Sequence, residues 1–265
     1  MHKLLITGAA GGLGRMLREN LAGIYPELRL SDIAPLDPAG EGEETVTCDL
    51  GDYDAVMDLV SGCDGIVHLG GISMENSFEA ILNANLRGTY HIFEAARRHG
   101  RPRILFASSN HTIGFHERTE RLDGESPYRP DSLYGLSKCY GELVARYYYD
   151  KFGVESLSVR IGSCFPEPRD RRMLATWLSG NDFCRMIEVA FAAPKLGCTM
   201  LYGASANKEQ WWDNGHAAFL GWTPEETAEV YRDRVEAATP TPDPNDPAVI
   251  FQGGAFAAAG HFEDE

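Results

Sequence analysis

No run of eighteen apolar residues occurs in the chain, so no transmembrane helix is expected. Basic residues are also scarce: 24 Lys and Arg stand against 39 Asp and Glu, a formal net charge of −15. That deficit disfavours nucleic acid and anionic membrane as partners, because both need a basic face. It leaves small anionic ligands open, since one local arginine can hold an anion against the global field. The six cysteines (Cys48, Cys63, Cys139, Cys164, Cys184, Cys198) include no C-x-x-C pair. Neither a zinc site nor a small disulfide framework is therefore expected. Reduced, mostly buried thiols in a cytosolic protein fit the pattern better. A basic region followed by an apolar signal segment is missing too, and the chain reads as cytoplasmic.

What the chain does have is core-forming sequence. Apolar residues make up 43% of its 265 positions, enough for one α/β domain or one domain with a small appendage. Short apolar runs alternate with longer segments of helical period. "KLLIT" is followed by "GLGRMLRENLAGI", "TVTCDL" by "YDAVMDLVSG", and "DGIVHLGG" by "SFEAILNANLRGTYHIFEAARRHG". "RILFASS" and "ESLSVRIGS" bracket "DSLYGLSKCYGELVARYYYDKFG". Such alternation predicts a doubly wound parallel sheet with right-handed crossovers. "GIVHL" and "RILFA" are apolar throughout, as strands covered on both faces are. After about residue 165 the rhythm loosens: "PEPRDRRM" is loop-like, "DFCRMIEVAFAA" helical and "CTMLYGAS" a strand. Four prolines in "TPTPDPNDPAVIFQGG" predict an extended tail over a surface. Residues 1–165 are expected to form a dinucleotide-binding core. Residues 166–265 are expected to add a small substrate-capping lobe in the same folding unit.

Gly8, Gly11 and Gly14 punctuate the passage from the first strand to the first helix. The first allows a tight turn, the second lets backbone approach a pyrophosphate, and the third lets helix pack on strand. The helix N-terminus then offers free N–H groups to the phosphates. Asp32 ends the second strand, 24 residues after Gly8. A carboxylate there accepts from both hydroxyls of an adenosine ribose and repels a 2′-phosphate, which points to NAD; the bland alternative is that it caps a loop. Asp49 follows the third strand, near where an adenine would lie.

"LYGLSKCYGE" sets Tyr134 and Lys138 four apart, on one face of a helix. A tyrosine with its reference pKa of about 10 is a poor base at neutral pH. A lysine one turn away and a positive nicotinamide ring would favour the phenolate. Ser109, at the end of its strand, can hydrogen-bond a substrate oxygen. "TGAAGGLG", "FASSNHTIG", "YGLSK", "LNANLRGT" and "FLGWTPEE" resemble the extended short-chain dehydrogenase/reductases, in their epimerase/dehydratase-like branch. Members acting on nucleotide-sugars carry a tyrosine where this chain has Ile113, which argues against that substrate class.

"HLGGIS", "RIGSC", "PEPRDRRM", "GASANKEQWWDN" and "FQGG" further resemble the uronate dehydrogenase family, whose members oxidise galacturonate and glucuronate at the anomeric carbon with NAD, giving an aldarolactone. By that resemblance Ser109, Tyr134 and Lys138 would be catalytic. Ser73, Ser109, Asn110, His111, Tyr134, Ser163 and Arg172 would line the sugar site. The expected cofactor set is Gly8, Gly11, Gly12, Leu13 and Gly14 in the turn, then Asp32, Ile33, Asp49 and Leu50. Leu69, Gly70 and Ile161 at later strand ends complete it, with Tyr134 and Lys138. Ser73 and Ser163 could equally terminate strands, and "RDRR" could be a solvated charge run, with Arg169 and Arg171 in water. "QWWDN" reads as lobe packing. No metal is expected; His111 has no ligand partner at metal spacing. The partner expected is a small sugar acid, the assembly a homo-oligomer. Two rivals share the fold: an epimerase or reductase on a nucleotide-sugar, and a non-catalytic NAD-sensing module.

Overall fold

The computed structural model describes residues 1–264. Seven strands form one sheet: β1 Lys3–Thr7, β2 Glu27–Asp32, β3 Glu43–Thr47, β4 Gly65–His68, β5 Arg103–Ser109, β6 Ser156–Ile161 and β7 Cys198–Gly203. Their order is β3-β2-β1-β4-β5-β6-β7 and every pairing is parallel. Chain order reverses between β1 and β4, where Thr7 lies beside His68. In open sheets of this kind that switch point opens a crevice at the carboxyl ends of the strands. This is a Rossmann fold.

Successive strand residues face opposite layers, and the apolar runs fill both. Leu4, Ile6, Leu28 and Leu30 pack against Leu17 and Leu21 of helix α1 (Gly12–Leu21). The same layer holds Phe183, Met186 and Ile187 of α7 (Gly180–Ala192). On the other face, Leu5, Ile66, Ile104 and Phe106 meet α2 (Tyr53–Val60), α4 (Gly88–Arg98) and α5 (Leu133–Phe152). With β7 and α7 drawn from residues beyond 165, that segment supplies sheet and cover as well as the pieces above the sheet's edge.

Two local expectations are corrected. The long helical segment after β4 is not uniform: α3 (Phe78–Ile81) passes through a π turn, Leu82–Arg87, before α4. Single π turns of this kind gather at functional sites. The proline-rich tail does not simply run extended. It forms α9 (Pro247–Ile250) and α10 (Ala255–Ala258), after α6 (Met173–Thr176) and α8 (Arg232–Ala238). Pro247 occupies the first turn of α9, where its missing N–H costs nothing, and Asp246 caps that turn through Ala248 N. Gln252, fully buried, ties the tail down. Its Oε1 accepts from Trp212 Nε1 at 2.8 Å, and its Nε2 donates to the carbonyls of Glu117 and Glu120. Trp212 stacks on Tyr202 at 5.4 Å, so "QWWDN" is packing that anchors the tail.

Candidate active site

A cleft of about 840 Å³ follows the switch point along the carboxyl ends of the strands. Its glycine turn is shaped by close approach. Gly8 sits at φ +72°, and a Cβ there would stand 2.9 Å from Gly70 N and from Leu69 C. At Gly14 a Cβ would overlap the Gly8 carbonyl and lie 2.5 Å from Ala9 Cα, so only glycine lets α1 start this close to β1. Gly12 has nothing within 4 Å of its missing Cβ. Backbone N–H groups at a helix start, stripped of side chains and facing a long cleft, fit a dinucleotide pyrophosphate.

The predicted cofactor residues sort along this cleft. Gly8, Gly11, Gly12, Leu13 and Gly14 line it at the turn, with Asp32, Ile33, Asp49 and Leu50 at one end. Leu69, Gly70 and Ile161 line it further along, as do Ser73 and Ser163 of the sugar set. Asp32 has the capping contacts of its bland reading. Its oxygens accept from Ala10 N at 2.9 Å and Ala34 N at 3.0 Å, which ties the glycine turn to the end of β2. Each oxygen keeps further lone-pair capacity. Asp49 accepts from Gly51 N at 2.8 Å.

Ser109, Asn110, Tyr134 and Lys138 are buried beside the cleft rather than along its wall. Ser109 Oγ accepts from His111 N at 3.2 Å, in the turn that follows β5. Burial pushes the Tyr134 phenol up to about 12, against a lowering hydrogen bond from Ser109. Burial also brings the Lys138 ammonium down to about 8. Lys138 Nζ lies 5.6 Å from the Tyr134 ring centre and 5.1 Å from that of Phe106. The expected lowering of the tyrosine by the lysine is not seen: burial dominates, with Asp131 adding to the rise.

Two ties to this centre were not legible from motifs. Glu75 accepts from Leu133 N at 3.0 Å and Tyr134 N at 2.9 Å, so a carboxylate from the Ser73 loop caps α5 beside its N-cap Ser132. Asn85, in the π turn, donates to Ser137 Oγ and exchanges hydrogen bonds with the Ile72 backbone. Both hold the loop after β4 against the helix that carries Tyr134. Neither partner is near in sequence, and no spacing rule points to them.

The tail packs over two of the residues predicted for the sugar, His111 and Arg172. Phe256 covers the His111 ring, centroids 3.9 Å apart. Arg172 donates through Nε and Nη2 to the Gln252 carbonyl, at 2.9 and 2.6 Å. With its amide oxygen facing the guanidinium, Asn110 accepts from Arg172 at 2.5 Å and donates to the Ile161 and Gly162 carbonyls. Arg172 Nη1 reaches Ser163 Oγ at 3.5 Å. Burial lowers Arg172 to about 10, with Arg118 adding to the effect, so it remains a cation at neutral pH. Of its neighbours, Arg171 is partly solvated and donates to the Glu236 and Pro240 carbonyls. Arg169 is exposed but lies over the Phe165 ring, 4.1 Å from its centre, at the cleft wall.

The sequence profile of the NAD dependent epimerase/dehydratase family matches residues 4–181. The uronate dehydrogenase of Agrobacterium fabrum is 60% identical over 256 residues, 97% of this chain and 97% of that protein. Among solved structures, the glucuronic acid dehydrogenase of Chromohalobacter salexigens superposes with a TM-score of 0.98 at 58% identity, covering 100% of this chain and 99% of that one. A tyrosine-to-alanine variant of the Agrobacterium tumefaciens uronate dehydrogenase, complexed with NAD, gives a TM-score of 0.97 at 58% identity over 98% of both chains. Fold, glycine cradle and likeness along the whole chain agree: the protein belongs to the NAD dependent epimerase/dehydratase family, and within it to the uronate dehydrogenases.

Proposed function

We propose that the chain oxidises hexuronic acids, galacturonate and glucuronate, at the anomeric carbon, with NAD as acceptor and an aldarolactone as product. One observation carries the substrate class. Arg172 is a half-buried cation in a protein of net charge −15, and it is hydrogen-bonded to Asn110, the residue next to Ser109. A guanidinium recognises a carboxylate by charge-assisted hydrogen bonds, and with Nε and Nη2 donating to Gln252 it is Nη1, on the Ser163 side, that is left for a substrate.

In this reading Asp32 receives the adenosine ribose hydroxyls, and the glycine turn receives the pyrophosphate. When bound, NAD supplies the acceptor for the C1 hydride and a positive ring that favours a phenolate. Ser109 Oγ orients the anomeric hydroxyl, and Tyr134 Oη takes its proton. Lys138 holds the nicotinamide ribose and keeps a positive charge beside the phenol. Ser73, Asn110, His111 and Ser163 take the remaining sugar oxygens, and Arg172 takes the carboxylate. Removing two hydrogens from C1 and its hydroxyl leaves the ring oxygen bonded, so the product is a lactone.

Six unpaired thiols support a reducing, cytoplasmic setting. Exposed Tyr90, Leu136, Leu143 and Tyr147 on α4 and α5 support a homo-oligomer. Residues 1–165 would carry cofactor and catalytic groups, and 166–265 the substrate side. The test is a panel of uronic acids, neutral aldoses and nucleotide-sugars with NAD. Reduced nicotinamide should accumulate with the uronic acids. Product epimers formed without net reduction, or no turnover at all, would overturn the reading.

A further inference from the structure

Asp131 stands outside every role assigned above, yet the fold is built around it. Its side chain has no exposed surface. Gly114, from the turn after β5, and Gly253, from the tail, both face it, and a Cβ at either would fall on its Oδ2. Two segments far apart in sequence thus give up side chains to make room for one carboxylate.

Both oxygens are used as acceptors. Oδ1 takes the hydroxyl of Ser132 at 2.9 Å, and that same hydroxyl oxygen accepts from Gly135 N at 2.9 Å, capping α5. Oδ2 lies 2.8 Å from Nδ1 of His111. An ionised carboxylate offers no hydrogen, so Nδ1 must carry the one they share. The rest of the His111 ring is hemmed in, with Phe256 against its face and Tyr134 edge-on at 5.7 Å. Only Nε2 lacks a hydrogen-bond partner among the described residues, in a side chain that is 12% exposed.

We propose that Asp131 is a positioning residue that locks His111 as its Nδ1–H tautomer, presenting Nε2 as a hydrogen-bond acceptor to a hydroxyl of the sugar acid. The proposal rests on the sugar-acid reading for its ligand, but its geometry does not. Which nitrogen of a histidine accepts is set by what the other nitrogen donates to. The same carboxylate sets the Ser132 cap, so the sugar-facing acceptor and the start of the Tyr134 helix share one anchor.

The test reads the tautomer directly. Protein labelled with nitrogen-15 histidine is examined by two-bond proton–nitrogen correlation at neutral pH, His111 being assigned by its loss in His111→Gln. The expected spectrum has a protonated Nδ1 and a bare Nε2. In Asp131→Asn that pattern should give way to hydrogen on Nε2. The same variant should raise KM for uronates about tenfold or more, with KM for NAD little changed. A wild-type ring with hydrogen on Nε2 would overturn the proposal, and so would a wild-type uronate KM in Asp131→Asn. Should that variant fail to fold, the wild-type spectrum decides alone. Because the spectrum needs no substrate, it stands or falls separately from wild-type turnover of uronates, which tests the functional reading.

Discussion

Burial holds the Tyr134 phenol at about 12 and the Lys138 ammonium at about 8, so each departs from its ordinary value towards the neutral form. In the proposed mechanism a base kept protonated in this way becomes effective only when positive charge is brought beside it, which would tie proton transfer to cofactor binding. Tyr134→Phe keeps the ring packing and removes the acceptor. It should fold and bind NAD as the parent does, while kcat falls by ~10²–10⁴-fold, the usual cost of losing a general base. A variant retaining more than about a tenth of kcat would assign the base to another group. Arg172 makes a different prediction, because its proposed contact acts on what distinguishes substrates rather than on the bond that breaks. A charge-assisted contact contributes ~1.5–3 kcal/mol. Arg172→Ala should therefore lower kcat/KM on uronates by about tenfold or more and leave residual turnover of neutral aldoses little changed. An unchanged ratio of the two would mean the carboxylate is held elsewhere.

At the scale of elements, α5 carries Tyr134 and Lys138, the proposed reacting residues, and its position is set from beneath by a buried ion pair. Glu142, one turn beyond Lys138, accepts from Arg160 of β6 at 2.9 Å, from Ser108 of β5 at 2.5 Å and from the Tyr128 hydroxyl at 3.0 Å. Helix and two strands are pinned by one carboxylate. Removing it leaves Arg160 buried without its counter-charge, so Glu142→Ala should lose about 3–5 kcal/mol in denaturant unfolding. A loss under about 1 kcal/mol would show that the site can rehydrate. Elements of this kind were readable from sequence where burial or backbone dictates residue type. β1, β4 and β5 read as unbroken apolar runs because helices cover both faces, and Gly8 and Gly14 are demanded by positive φ and close approach. The four-residue helices of the tail are too short to have a period, and contacts made far away in sequence hold them. Gln252 of that tail could not be linked to Trp212, nor Asp131 to His111 or Glu75 to Tyr134, by any spacing rule.

The whole molecule brings its strand ends, the glycine turn and the returning tail to one edge of the sheet, and its interior keeps one histidine neutral there. His68, at the switch point, shares a hydrogen bond with Thr7 Oγ1 at 2.8 Å and is lowered to about 3 by burial, with Lys138 adding to the effect. The unfolded chain takes up that proton near a pH of about 6.5 and the folded one does not. Acid therefore favours unfolding: the contribution is complete above about 6.5 and is lost as pH falls toward 3. Unfolding free energy should fall more steeply between neutral and mildly acidic pH in the parent than in His68→Gln. Parallel slopes would contradict this. No helix among the described residues is long and apolar enough to cross a membrane. The central claim is oxidation at the anomeric carbon, and galacturonate deuterated at that carbon tests it most directly. With NAD, the deuterium should appear in the reduced nicotinamide, one equivalent per lactone formed; deuterium retained in the sugar acid while NAD is reduced would contradict the account.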